Sequence, residues 1–206
     1  VLVGSSGSTK IGVAPGATLL VARVFDASGS SSSVTRAAGG IEWALDPDGV
    51  PSTNDGADVI SLSLGETVVS TVWKTYVDSW ITTYNVPIVA AIGNDGPGSE
   101  TTESPGNVPN AIGVGAVDAS DVITAFSSRG PVSWSGTAYT KPDVVAPGAT
   151  IYSADYSSDT GLVAMSGTSQ ATPHVGGGAA LALQARPTLT AAQVKQYLED
   201  YAKALG

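Results

Sequence analysis

The chain has 206 residues, of which 42% are hydrophobic and 13% are charged, and its formal net charge is −9. This length suffices for one domain with a sizeable core, and the composition is unlike that of disordered chains. The acidic balance argues against nucleic acid as a partner. Because there is no cysteine, disulfides and thiolate metal sites are excluded.

Short β-branched runs alternate with longer helical stretches, a pattern that predicts an α/β fold built on a parallel sheet. The first predicted strand covers residues 19–24. A Gly/Ser loop over 27–33 follows, and its last serines are candidates to cap a helix through Leu45. After a polar turn region over 46–58, the run 59–64 predicts the second strand. No apolar run is long enough for a membrane span, so we expect no membrane partner.

The middle of the chain continues this alternation. A helix is predicted to end near Asn85. Its apolar stripe consists of Val72, Trp73, Tyr76, Val77 and Trp80. Further strands are predicted over 86–92, 111–117 and 144–146. The first of these is nearly continuous in apolar residues, as expected for a strand covered on both faces.

The last third of the chain is predicted to begin with an antiparallel strand pair, 151–154 and 162–165. Two helices follow over 169–185 and 190–204, and Pro187 separates them. We find no internal repeat and no linker. The simplest organisation is therefore one domain over the whole chain, 1–206.

Ser169 stands at the predicted start of a helix, in the motif GTSQATPHV over 167–175. A side chain there lies in the positive end of the helix dipole, where backbone N–H groups face a ligand. Pro173 is close to the helix start, where its missing N–H is expected to cost little. Ser169 is thus a candidate nucleophile, and an ordinary helix cap is the alternative.

His174 is the only histidine of the chain. On one helix, the five residues after Ser169 turn a side chain by about 140° and shift it by roughly 7.5 Å. His174 is therefore predicted to point away from Ser169. We interpret it as a structural residue and not as the base that a serine nucleophile needs.

Asn94 follows the buried run over 86–92, at the carboxyl end where open α/β sheets bind ligands. A side-chain amide there can donate to the oxyanion that forms when a serine attacks a carbonyl. Without Ser169, the default would be an asparagine that favours a turn beside glycine. With both residues present, we interpret Asn94 as an oxyanion donor.

The motif around Ser169 and the segment AAIGNDG over 90–96 resemble those of the subtilisin-like serine proteases, the subtilase family. The resemblance covers nearly the whole chain. Further blocks in the family's order are IGVAP at 11–15, GIEWA at 40–44, FSSRGP at 126–131 and KPDVVAPG at 141–148. It implies a subtilisin-like fold with helices on both faces of the sheet. It also implies a serine endopeptidase that acts through an acyl-enzyme on Ser169, with Asn94 in the oxyanion hole.

The resemblance further implies where a peptide substrate would lie. Ser63, Leu64 and Gly65 match the strand that pairs with the substrate backbone by β-augmentation. The remaining matches are Ala91, Ile92 and Gly93 for the pocket that takes the side chain before the scissile bond, and Gly29 and Ser30 for the opposing wall. Asp95, beside this pocket, predicts a preference for a basic side chain. The Ser104–Pro105 bond is expected to be cis.

By the same comparison the chain begins a few residues after the family's catalytic histidine, so we expect it to be incomplete at both ends. The base and its orienting aspartate are expected upstream of Val1. One alternative is a catalytically inactive, peptide-binding pseudo-protease, and another is a shared fold in which Ser169 only caps a helix. The family implies an extracellular location, and an N-terminal propeptide or the missing N-terminal fragment as a partner.

We expect no cofactor and no metal in the chemistry itself. The loop over 46–58 is rich in oxygen ligands, but its spacing does not fit an EF-hand. A solvated acidic loop is the favoured interpretation, and a structural Ca²⁺ site is the alternative.

Overall fold

The computed structural model describes residues 1–6, 9–26, 33–50 and 52–205. Within these ranges the strands are β1 Ser5–Ser6, β2 Thr9–Lys10, β3 Ile60–Leu62, β4 Ile88–Ala91, β5 Ile112–Val117, β6 Val132–Trp134, β7 Thr137–Tyr139, β8 Val144–Pro147, β9 Ile151–Ala154 and β10 Leu162–Met165. The helices are α1 Val34–Leu45, α2 Thr71–Tyr84, α3 Thr168–Ala185 and α4 Ala191–Tyr201. None of these helices is long and apolar enough to cross a membrane.

Four strands form a parallel sheet in the order β3-β4-β5-β8. Successive strands in this order are joined through helices or long connections, as parallel pairing requires. The short pairs β1–β2, β6–β7 and β9–β10 are antiparallel and lie outside this sheet. The parallel α/β prediction is confirmed, and so is the antiparallel pair formed by β9 and β10.

Both faces of the sheet are covered, and β4 shows why. All four of its residues are buried, because successive side chains of a strand point to opposite faces. Ile88 and Ala90 pack with residues of α1 and α2 in one cluster. Val89 packs with residues of α3 and α4 in a second cluster. The predicted continuous apolar run therefore corresponds to a strand between two helix layers.

Local capping signals set several helix ends. The Ser33 and Ser70 side chains accept the N–H groups of Arg36 and Trp73, which begins α1 and α2. Asn85 ends α2 in the left-handed conformation, with φ 55°. The α2 stripe is buried at Trp73, Val77 and Trp80. Val72 was wrongly placed on it and is exposed, because it lies one residue, about 100°, from Trp73 on the helix.

The prediction of a strand over 19–24 is wrong. This segment forms no strand, and Leu19 and Val21 are 55% and 71% exposed. A groove of about 1080 Å³ separates it from β3, so it has no strand edge to pair with. The other predicted elements are found, with shorter bounds for β3, β4, β5 and α4 than predicted. The Ser104–Pro105 bond is cis, as expected.

Helix α3 packs closely on its neighbours because its buried face is rich in alanine and glycine. It contacts β3, β4, β5 and β8. A Cβ added at Gly176 would lie 3.2 Å from Ser61 Oγ on β3, and one added at Gly177 would lie 2.6 Å from the Cβ of Val13, which lies outside the sheet and packs against the same helix. By contrast, a Cβ at Gly178 would have its nearest neighbour at 3.7 Å, the Leu198 side chain.

We therefore expect Gly177→Ala to lower the free energy of unfolding by about 1–3 kcal/mol, because Val13 cannot move away without shifting its backbone. The matched substitution Gly178→Ala has room and gains helix propensity, so it should be neutral or stabilising by up to about 1 kcal/mol. Denaturant unfolding of both variants measures the difference. Equal effects at the two positions would contradict close packing at Gly177.

Candidate active site

Ser169 is the second residue of α3 and lies at the carboxyl edge of the parallel sheet. Its side chain is half-buried, and its Oγ donates to the Ser63 carbonyl over 3.4 Å. The Ser169 N–H belongs to the first helical turn, where no intrahelical acceptor exists. In the described part of the chain this N–H has no hydrogen-bond partner. A hydroxyl and a free backbone donor therefore belong to the same residue.

The Asn94 side chain is held by the residue next to Ser169. Its Oδ1 accepts the Thr168 N–H at 2.8 Å and the Thr168 hydroxyl at 3.2 Å. Because a backbone N–H can only donate, the amide oxygen must face Thr168 and the NH₂ group must face away. Among the described residues this NH₂ group has no partner. The site thus contains a second free donor. It is positioned by Thr168, which lies 74 residues after Asn94 in the chain.

Thr168 holds Asn94 in place at the candidate site, a contact that was not predicted from the sequence. It is fully buried, and its hydroxyl also lies 3.2 Å from the Gly93 carbonyl. Its only sequence signal was its place beside Ser169 in the motif. Thr168 contacts Asn94 only because the start of α3 lies beside the end of β4 in the fold. The local sequence does not reveal that these two elements are neighbours.

Ser63 joins the end of β3 to the same helix. Its Oγ donates to the Ser169 carbonyl at 2.7 Å. Pro173 is the sixth residue of α3, so it removes the N–H that would bond this carbonyl within the helix. The expectation that Pro173 costs little because it is near the helix start is therefore wrong. The acceptor it frees is satisfied by the Ser63 hydroxyl instead.

The other residues predicted to bind substrate differ in the solvent exposure of their side chains. Ser63, Leu64 and Gly65 lie just beyond the carboxyl end of β3, with Ser63 and Gly65 exposed. Ala91 and Ile92 are buried at 4% and 0% exposure, so a ligand could use only their main chain. Gly93 has φ +111°, which favours glycine. The predicted Gly29 and Ser30 lie outside the described residues.

Glu103 was not predicted from the sequence, yet its carboxyl group lies between two of these segments. A Cβ added at Gly65 would be 2.5 Å from Glu103 Oε2, and one added at Gly93 would be 2.7 Å from Oε1. Oε1 also accepts the Asn94 N–H at 3.3 Å. Burial raises the pKa of Glu103, the Asn94 N–H opposes this, and the charge of Asp95 adds to it. Only its position before Ser104–Pro105 hinted at a role.

His174 makes its contact within its own helix. Its Nδ1 lies 2.9 Å from the Gln170 carbonyl, so this nitrogen carries the proton and donates. Burial lowers the pKa of His174, which favours the neutral ring. No hydrogen bond joins it to Ser169 among the described residues. The prediction that His174 is structural agrees with this geometry.

Three carboxylates of the acidic loop come together. Ligand atoms of Asp46, Asp48 and Asp55 lie within 4.8 Å of one another, whereas Asp58 is not in this group. Asp48 Oδ1 already accepts the Val50 N–H at 2.8 Å. Asp48 and Asp55 are exposed, and exposed carboxylates bound to their own loop are also what a solvated acidic turn contains.

Replacing Ser63 by alanine removes the donor to the Ser169 carbonyl. Because Ser63 is exposed and water can reach this acceptor, we expect Ser63→Ala to lower the free energy of unfolding by about 1 kcal/mol. Ser133→Ala, at an exposed position of β6, is the matched control and should change stability little. Equal stability of both variants and the parent would contradict the role of Ser63 in satisfying α3.

The raised pKa of Glu103 predicts a pH-dependent effect on stability. The folded state favours the protonated carboxyl, so the stabilisation is complete below the unfolded pKa, about 4.3, and is lost as pH rises through the folded value. Glu103→Gln should therefore raise the free energy of unfolding relative to the parent at pH 7, and by less at pH 4. Glu42→Gln, exposed on α1, serves as control. A pH-independent difference would contradict the assignment.

The comparisons with known proteins agree with this geometry. The whole chain, residues 1–206, matches the model of the subtilase family of peptidases. The chain is 39% identical to Subtilisin E of Bacillus subtilis (strain 168) over 198 residues, 95% of this chain and 46% of that protein. It is also 39% identical to Subtilisin Savinase of Lederbergia lenta, over 95% of this chain and 64% of that protein.

Two solved structures are similar in fold. A cold adapted subtilisin-like serine proteinase superposes with a TM-score of 0.75 at 34% identity, covering 93% of this chain and 62% of that one. Sphericase superposes with a TM-score of 0.80 at 33% identity, covering 97% and 64%. The chain therefore spans about half to two thirds of the length of these relatives. It has a subtilisin-like α/β fold and belongs to the subtilase family.

Proposed function

We propose that residues 1–206 are part of the catalytic domain of a serine endopeptidase. The observation that carries the proposal is the meeting, at one edge of the sheet, of the Ser169 hydroxyl with two donors that have no partner among the described residues, the Ser169 N–H and the Asn94 NH₂ group. This is the set of groups that attack on a peptide carbonyl requires. Membership of the subtilase family and similarity to subtilisins support it.

In the proposed reaction, Ser169 Oγ forms a bond to the carbonyl carbon of the substrate. A base takes the hydroxyl proton and then gives it to the leaving amine as the peptide bond breaks. The Ser169 N–H and the Asn94 amide stabilise the oxyanion of the tetrahedral intermediate. Water then hydrolyses the acyl-enzyme. The substrate would lie extended along Ser63–Gly65, whose exposed main chain can pair with it, with Gly29 and Ser30 as the proposed opposing wall.

The base and its orienting carboxylate would come from residues outside the 206 described by this sequence. Two observations support this. His174, the only histidine of the sequence, is hydrogen-bonded to the Gln170 carbonyl. An open groove also runs beside the site. The groove separates the segment near Ala22 and Val24 from β3 and from Gly176 and Ala180 of α3. Apolar side chains such as Leu20 and Ile41 line this groove, which suits a further structural element, and we infer that the segment that supplies the base lies there.

The alternative is a peptide-binding pseudo-protease without turnover, favoured only by the lack of a second histidine in this sequence. The proposed chemistry uses side-chain and main-chain groups alone, so we infer no catalytic cofactor. For Asp46, Asp48 and Asp55 we retain the solvated loop over structural Ca²⁺. A rise in Tm when Ca²⁺ is added would reverse that choice. We infer an extracellular protein whose partners are peptide or protein substrates, with an N-terminal propeptide as a further one.

We expect a fluorophosphonate to label the complete protein at Ser169, and Ser169→Ala to abolish labelling and peptide hydrolysis. Ser133→Ala, an exposed serine of β6, is the matched control and should be labelled normally. Asn94→Ala should lower kcat by about 10²–10³-fold, a loss known for one such donor in a subtilisin. Labelling that survives in Ser169→Ala, or an intact full-length protein without turnover, would contradict the protease and favour the binding module.

A further inference from the structure

Glu103 places a carboxyl group in the cleft proposed to hold the substrate. The two segments on either side of it are Ser63–Gly65 and Ala91–Gly93, and both present a glycine to it. The Glu103 carboxyl group occupies the space that side chains would fill at Gly65 and Gly93. A Cβ added at Gly65 would lie 2.5 Å from Oε2, and a Cβ added at Gly93 would lie 2.7 Å from Oε1. A substrate side chain that enters between these segments would therefore meet a carboxylate.

This carboxylate has no positive partner in the part of the chain that the structure describes. No ion pair in the described ranges involves Glu103, and its Oε2 has no hydrogen-bond partner there. The neighbouring charge, on Asp95, has the same sign. A half-buried carboxylate beside another acid is unfavourable unless a cation balances it. Elsewhere the fold does supply one, since the buried Asp143 is paired with Lys141 and Lys195.

We propose that Glu103 selects a lysine or arginine side chain at the substrate position immediately before the scissile bond. This inference rests on the proposed endopeptidase function and names the substrate class of the same site. A basic side chain would supply the missing cation, whereas an apolar side chain would bury the carboxylate further without compensation. We expect Lys and Arg to be accepted alike, because a carboxylate can accept hydrogen bonds from either an ammonium or a guanidinium group.

The assignment moves the origin of the basic preference away from Asp95. Asp95 is exposed, and its N–H donates to Ser128 Oγ at 2.9 Å. It adds negative potential, but the group that lies against both Gly65 and Gly93 is Glu103. The contact of Oε1 with the Asn94 N–H also fixes the carboxyl group in place, which leaves Oε2 available to a ligand.

The test uses the complete protein and a set of peptide 4-nitroanilides that differ only in the residue before the scissile bond: Lys, Arg, Leu or Glu. For the parent, we expect kcat/KM for Lys and Arg to exceed that for Leu by about tenfold or more. Glu103→Gln should lower this ratio at least tenfold, mainly through a lower kcat/KM for Lys and Arg, and Glu103→Lys should favour Glu. Asp95→Asn should lower it less. Glu42→Gln, which removes the same charge from exposed α1, should leave it unchanged.

Product peptides that end in Lys or Leu provide a second readout that needs no turnover. Their dissociation constants should show the same preference and the same loss in Glu103→Gln. Equal cleavage after Lys and Leu, or a ratio unaffected by Glu103→Gln, would overturn the inference while fluorophosphonate labelling of Ser169 still supported the protease. If labelling and turnover failed, the proposed function would fall, and the binding of the product peptides would still decide the role of Glu103.

Discussion

The close packing of α3 on the parallel sheet is the constraint on which the candidate site depends. Glycines at 148 and 176 allow it, since an added Cβ would lie 2.8 Å from the Gly167 carbonyl oxygen in the first case and 3.2 Å from Ser61 Oγ in the second. The carboxyl ends of β3 and β4 meet at one edge of the sheet, and α3 begins there. Ser169, Asn94 and Ser63 are brought together for this reason, although 75 or more residues separate Ser169 from the other two.

Two hydrogen-bonded links hold the first turn of α3 to the strands beneath it. Thr168 engages the Asn94 amide at the end of β4, and Ser63 satisfies the carbonyl that Pro173 leaves without a helical donor. The first link turns the Asn94 NH₂ group toward the cleft, and the Ser169 N–H is available there because it belongs to the first helical turn; neither has a partner among the described residues. Donors that are fixed before a charge develops stabilise it without reorganisation, which is the physical basis for an oxyanion site.

Buried charge is balanced at one place in the fold and unbalanced at another. Lys141 is buried, burial lowers its pKa to about 8, and it donates to Asp143 over 2.6 Å and to the Ala111 carbonyl. That network is closed, because each charge has its partner within the protein. Glu103 is also partly desolvated but has no cation in the described part of the chain. In the proposed cleft, the unbalanced charge of Glu103 indicates more about substrate preference than the net charge of −9 does.

By itself the sequence determined the alternation of strands and helices, the cap at Ser33, the helix end at Asn85, and the segments that contain Ser169 and Asn94, because periodicity and capping are local signals. Only the tertiary structure decided that 19–24 forms no strand and that Glu103 lies between Gly65 and Gly93. Strand pairing and the filling of space depend on neighbours distant in the chain, whose arrangement local patterns do not record.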